Sequence, residues 1–237
     1  MRKYTLNENY FESVDTQEKA YFLGYLMADG YNNQKRNVIE LSCSKKDVEI
    51  LEGLNHLIGS NKPIRFVKSK GIESYRIDWC SRKLCDDLAS LGCVQAKTFK
   101  LKFPKIRCDL VRHFIRGYFD GDGCISFSYS AMDNCFGNHF ASVITIVSTL
   151  DFCNYLKEYF MENLQLKSTI CCRHPENNNN NRTLHISGNN KVVRLMEWMY
   201  RDSFVFLKRK REKFDEIRRI LSDRKIEYSK IRGNSKP

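Results

Sequence analysis

Residues 22–30 read FLGYLMADG, and residues 115–123 read IRGYFDGDG. Each is an apolar, helix-like run with a glycine inside it and an Asp-Gly pair at its close. A glycine inside a helix costs about 1 kcal/mol relative to alanine, so two copies in one register call for a reason. Small residues recur at every fourth place in the first copy: Ala20, Gly24 and Ala28. The corresponding steps of the second copy are His113, Gly117 and Gly121. Residues at that spacing share one helix face, and a smooth face lets two helix backbones approach closely. The two stretches therefore read as helices packed glycine against glycine about an internal two-fold axis. Phe22, Tyr25 and Leu26 in one copy, and Phe114, Tyr118 and Phe119 in the other, would fill the core of each half. Asp15 stands as an N-cap for the first helix, with Glu18 at the capping-box place.

The pairing has a chemical consequence. It brings Asp29 and Asp122 to the same end of the pair, the C-terminus of both helices, where free carbonyls and the macrodipole favour a cation. Two neighbouring carboxylates repel unless a metal or a proton intervenes. Hard oxygen donors point to Mg²⁺, with Mn²⁺ able to substitute, completed by phosphate oxygens and water. Metal-assisted phosphodiester hydrolysis is the chemistry that arrangement suits.

The segments after each motif repeat as well. In the first half, residues 37–44 read as a strand, 46–59 as an amphipathic helix, 63–69 and 73–80 as strands, and 81–93 as a helix with Ser81 as N-cap. In the second, 139–148 is a strand and 150–164 a helix. Strands at 168–174 and 182–188 flank the asparagine-rich turn 177–181, and helices come after them at 189–200 and 207–223. The fold class is α+β, two αββαββα halves. Residues 1–96 form the first half, 97–109 a basic extended connector broken by Pro104, 110–223 the second half, and 224–237 a basic tail.

Composition narrows the partner. The 237 residues carry 42% hydrophobic side chains, enough for a packed core, and a net charge of +12 that favours a polyanion. Residues 201–237 hold 13 Lys/Arg against 6 Asp/Glu, more than half of that surplus. Ten cysteines occur with no C-x-x-C pair, so a zinc ribbon is unsupported, and they read as free thiols of a reducing compartment, mostly small core fillers. No secretory signal and no membrane-length apolar run is present, which points to a cytoplasmic or organellar protein that does not enter a membrane.

The doubled motif resembles that of the LAGLIDADG homing endonucleases, in the form that carries both copies in one chain. The resemblance extends to the flanking segments DTQEKAYFLGYLMADGY, LGCVQAKTFKLKFP and FLKRKREKF. It implies a monomeric saddle with two antiparallel sheets in the DNA major groove, and double-strand cleavage leaving short 3′ overhangs. On that likeness Asp29 and Asp122 are catalytic and bind the metals with the backbone carbonyls of Ala28 and Gly121. The motif's earlier acidic place holds Met27 in the first copy and Asp120 in the second. The family also places a lysine near each active centre: Lys97 here, and Lys210 in preference to Lys208. Ser44 with Lys45, and Ser148, match places that organise catalytic water.

A β ribbon in the major groove turns alternate residues to the bases. In the first half Arg65, Lys68, Arg76, Asp78 and Cys80 are the expected DNA-facing residues; in the second, Arg173, Arg182 and His185. The halves differ there, so the double-stranded target is asymmetric. Two other functions share such a fold: an RNA maturase binding its host intron, and a DNA-binding regulator without cleavage. Retention of both Asp29 and Asp122 speaks against the regulator.

Overall fold

In the computed structural model, which describes residues 3–69, 71–95, 100–130, 139–172 and 180–233, the chain builds the same unit twice. The first unit comprises α1 (Gln17–Asp29), β1 (Tyr31–Asn33), β2 (Val38–Cys43), α2 (Val48–Leu57), β3 (Arg65–Ser69), β4 (Ile72–Cys80) and α3 (Arg82–Ser90). The second comprises α4 (Val111–Asp122), β5 (Gly123–Ser130), β6 (His139–Thr149), α5 (Leu150–Leu164), β7 (Thr169–Cys171), β8 (Asn181–Ser187) and α6 (Asn189–Tyr200), with α7 (Lys208–Gly233) appended. Each unit folds into one antiparallel four-stranded sheet, ordered β1-β2-β4-β3 and β5-β6-β8-β7. The α+β fold of two αββαββα halves is thus present.

The motif helices form the centre. Every residue of α1 from Ala20 to Ala28 is buried, as expected of a helix that is apolar all round. The glycines permit the pairing. A Cβ on Gly24 would lie 2.1 Å from the Phe114 carbonyl oxygen, and one on Gly117 only 1.8 Å from that of Tyr21. Around this axis each sheet turns alternate residues inward. Ile39, Leu41, Ile77 and Trp79 line the first core, and Ile144, Ile146, Leu184 and Ile186 the second.

A second tie crosses between the halves at the start of α7. Arg209 donates to both oxygens of Asp47 at 3.0 and 3.2 Å, and Lys208 pairs with Glu49. Asp47 is buried and also accepts from Ser44 Oγ at 3.1 Å. Ser44 is thereby engaged in the inter-half tie. Along α7 the inward stripe Leu207, Lys210, Phe214 and Ile217 is buried. Lys213 sits 4.0 Å from the Phe127 ring and Arg224 5.5 Å from that of Phe140, cation–π contacts that seat α7 on β5 and β6.

Several local expectations change. Thr16, not Asp15, caps α1, accepting from the Lys19 N–H at 3.3 Å, while Asp15 pairs with the Lys19 amine at 2.8 Å. Strands β1 and β5, directly after each motif, are the first strands of the two αββαββα halves, to which the sequence reading assigns no residues. Helix α7 continues beyond residue 223 to Gly233, so most of the expected tail is helical. The described part of the connector is packed rather than free: Leu101 is buried, and Phe103 stacks on Tyr155 with ring centroids 4.0 Å apart. Cys43, Cys85, Cys93 and Cys153 fill core, but Cys80, Cys108, Cys124, Cys171 and Cys172 are exposed, three of them because strand alternation turns them outward. All the described cysteines are free thiols.

Candidate active site

Each motif helix stops at its aspartate because the next residue is glycine. Gly30 and Gly123 leave the helix in extended conformation, their N–H groups closing on the carbonyls of Leu26 and Phe119. A side chain at either place would collide: a Cβ on Gly30 would meet the Leu26 oxygen at 2.6 Å, and one on Gly123 the Phe119 ring at 2.1 Å. The aspartates emerge exposed at the shared helix end. Gly121 lets them converge, since its absent Cβ would lie 2.3 Å from the Ala28 Cβ and 3.4 Å from Asp29 Oδ2. The Asp29 carboxylate therefore rests against the opposite helix, one residue from Asp122.

A tyrosine precedes each aspartate by one turn, Tyr25 before Asp29 and Tyr118 before Asp122, on the same helix face. Burial first, and then the neighbouring aspartate's charge, raises the pKa of both phenols. Both stay protonated as hydrogen-bond donors. The Tyr118 hydroxyl donates to the Val147 carbonyl at 3.1 Å and lies 2.9 Å from Ser148 Oγ. Tyr118, Asp122, Ser148, Thr149, Ala28 and Met27 face an open cleft of about 240 Å³. Sequence reasoning places both tyrosines in the core, where they lie, and misses their position beside the aspartates, although the four-residue step to each aspartate is there to find it.

The motif's earlier acidic place has an architectural task in the second half. Asp120 is fully buried and accepts three hydrogen bonds: from the Tyr200 hydroxyl (2.9 Å), the Tyr21 hydroxyl (2.9 Å) and the Leu207 N–H (2.8 Å). It thus joins α1, α4, α6 and the start of α7. Burial raises its pKa, and the Lys210 charge and the three donors oppose that rise. Beside it, Arg116 is wholly buried and donates to the carbonyls of Met199 and Val205 at 2.9 and 3.0 Å. Met27, the first-half counterpart of Asp120, is buried without any such network among the described contacts. Replacing Asp120 by Asn should cost about 1–3 kcal/mol, because one of the three donors then faces an amide N–H. Urea unfolding checks this, and an unchanged midpoint would contradict it.

Lys210 is buried at the C-terminus of α4. Its amine donates to the carbonyls of Phe119, Asp120 (2.8 Å) and Gly123 (2.6 Å). Burial lowers its pKa to about 8, against the opposing pull of Asp120 and Asp29. It remains charged at neutral pH, as a cation closing a helix C-terminus. All three donors of the ammonium are engaged, so Lys210 here stabilises the helix end that carries Asp122. Lys208 instead points outward to Glu49. Lys97 lies outside the described residues.

Strand register sorts the residues expected to face DNA. Arg65 stands opposite Arg76, with Asp78 and Cys80 on the same outward face. Lys68 is three residues from Arg65, so it turns to the other face, where it pairs with Glu73 at 3.1 Å. The same odd spacing separates Arg182 from His185. Arg182 lies opposite Ser148 on the inward face, while His185 lies opposite Thr145 on the outward one. Arg173 lies outside the described residues.

No group of three or more His, Cys, Asp or Glu side chains is poised for a metal among the described residues. The available donors are two exposed carboxylates and carbonyls at the ends of two helices. Such a hard-oxygen set suits an ion that keeps water and takes phosphate oxygens. It does not suit a closed N/S zinc site. No helix among the described residues is long and apolar enough to cross a membrane.

No protein-family model matches the chain, and no curated protein matches it by sequence. Solved structures do. The I-LtrWI LAGLIDADG homing endonuclease bound to target DNA aligns with a TM-score of 0.59 at 11% identity, over 91% of this chain and 92% of that one. The I-SmaMI LAGLIDADG homing endonuclease bound to cleaved DNA aligns at 0.55 and 14%, over 90% and 92%. Full-length DUF199/WhiA from Thermatoga maritima aligns at 0.53 and 16%, over 97% of this chain and 71% of that one. With its paired motif helices and two equivalent sheets, the chain has the fold of the LAGLIDADG homing endonucleases.

Proposed function

We propose that the chain is a site-specific endonuclease that cuts both strands of a long, asymmetric double-stranded DNA target, leaving short 3′ overhangs. The observation that carries this reading is the convergence of Asp29 and Asp122 at one end of the glycine-paired helices. Two exposed carboxylates held side by side repel each other, and phosphodiester hydrolysis has a use for such a pair. Asp29 and Asp122, with the carbonyls of Ala28 and Gly121, would hold Mg²⁺, or Mn²⁺ in its place. When bound, that ion supplies Lewis-acid polarisation of the phosphate and an activated water.

The rest of the work falls to the chain itself. Burial and the neighbouring carboxylates keep the phenols of Tyr25 and Tyr118 protonated, and Ser148 offers a hydroxyl in the cleft next to Asp122. Lys210 fixes the helix end that presents Asp122. The two sheets offer outward faces to the major groove. The basic residues of α7 add phosphate attraction that falls steeply with salt.

The direct test is a supercoiled plasmid carrying the joined sequences that flank the gene's host element. Linear product with 3′ overhangs is expected with Mg²⁺ and none with EDTA. Tight binding without a nick would overturn the reading in favour of a regulator. Rescue of intron splicing without cleavage would overturn it in favour of a maturase.

A further inference from the structure

We propose that the two halves read chemically different base pairs: the outward face of the first sheet is built for G·C pairs and that of the second for A·T pairs. The inference rests on the DNA-binding reading above. In the first sheet, register places Glu40 opposite Asp78, and Arg76 opposite both Ser42 and Arg65. All lie on the face turned away from Ile39, Leu41, Ile77 and Trp79. They form two acid–base couples: Arg76 with Glu40 at 3.7 Å, and Arg65 with Asp78 at 2.5 Å, the second Asp78 oxygen being taken by Lys62, also at 2.5 Å.

A carboxylate on a groove-facing surface is repelled by phosphates and weakens sequence-independent binding. Its gain lies in specific donors. Arginine takes guanine O6 and N7, and a carboxylate accepts from the cytosine amine. An arginine beside a carboxylate thus presents the complement of both edges of one G·C pair. Arg76 and Arg65 keep 44% and 58% of their side-chain surface accessible, so both guanidinium groups can still reach a base.

The second sheet has the same topology and a different face. Its central outward row runs Cys124, Thr145, His185 and Thr169 in register, flanked by Val143 and Val147. Among the described residues of β5 to β8, the outward positions carry no Asp, Glu, Lys or Arg. Those described positions offer guanine no guanidinium and cytosine no carboxylate. They offer methyl groups, and the thymine C5-methyl is the apolar feature of the major groove. Val147 is 38% exposed and available for that contact.

The test is selection of bound duplexes from a random library in EDTA, followed by sequencing. The enriched site should be G·C-rich in one half and A·T-rich in the other. Arg76→Ala and Glu40→Gln should relax the G·C half alone, each losing about 5- to 150-fold discrimination at one or two positions. Val147→Ala and Thr145→Ser should relax the A·T half alone. No enrichment at all would overturn the DNA reading and this inference with it. An enriched site with evenly mixed halves, or first-sheet variants that relax the A·T half, would overturn this inference and leave the DNA reading standing.

Discussion

Gly117→Ala is expected to destabilise the protein by about 3 kcal/mol or more, at the upper end of what overpacking costs. The added methyl carbon would lie 1.8 Å from the Tyr21 carbonyl oxygen and 2.7 Å from its carbonyl carbon. Those are backbone atoms inside a buried helix, so no side chain can swing aside. The helices must separate, and contacts loosen along the whole pair. The helix propensity regained by alanine, about 1 kcal/mol, does not offset this. Domains are stable by only about 5–15 kcal/mol, so the variant should unfold far earlier in urea. Gly24→Ala, whose methyl would meet the Phe114 oxygen at 2.1 Å, should behave alike. The double variant should cost less than the two single costs combined, because the first substitution already parts the helices. Gly53→Ala is the control: its methyl would meet only the Phe22 ring, at 3.6 Å. If Gly117→Ala melts with the wild type, the glycine pairing is not what holds the halves together.

The same pairing explains which features can be read from the sequence. A stripe of small residues repeated in two helices has few structural solutions, and it determines the centre of the fold and the convergence of Asp29 and Asp122. Strand alternation is also readable, but it has to be counted. Arg65 and Lys68, like Arg182 and His185, are three residues apart and so occupy opposite faces, which basic composition alone does not reveal. The α1 cap is ambiguous because Asp15 and Thr16 are adjacent cap formers and only the backbone geometry chooses between them. The Asp120 network is out of reach. Its partners Tyr21, Tyr200 and Leu207 lie far away in sequence, and nothing local distinguishes a buried carboxylate from an exposed one. For the same reason Lys210 reads from sequence as a group facing water or phosphate, while its amine is held by three carbonyls at the end of α4.

Asp29→Asn and Asp122→Asn should each abolish linear product while leaving DNA affinity and thermal stability intact. The amide keeps the shape of the side chain and loses its charge. Removing one preorganised electrostatic group commonly lowers a rate by on the order of 10²–10³, and a carboxylate that also holds a metal should cost more. Stability should move the other way. Both aspartates are exposed, and two like charges held side by side repel, so neutralising one should leave the melting temperature unchanged or raise it slightly. That opposition between activity and stability marks a functional residue, and it separates these aspartates from Asp120, whose replacement should lower stability first. The product pattern carries further information. The Asp29 carboxylate lies against Gly121, beside Asp122, so the two sites share one electrostatic environment. A single substitution should therefore stop cleavage of both strands, leaving the plasmid supercoiled. Accumulation of a nicked circle would instead assign one aspartate to each strand, and wild-type linearisation by either variant would remove that aspartate from the active site.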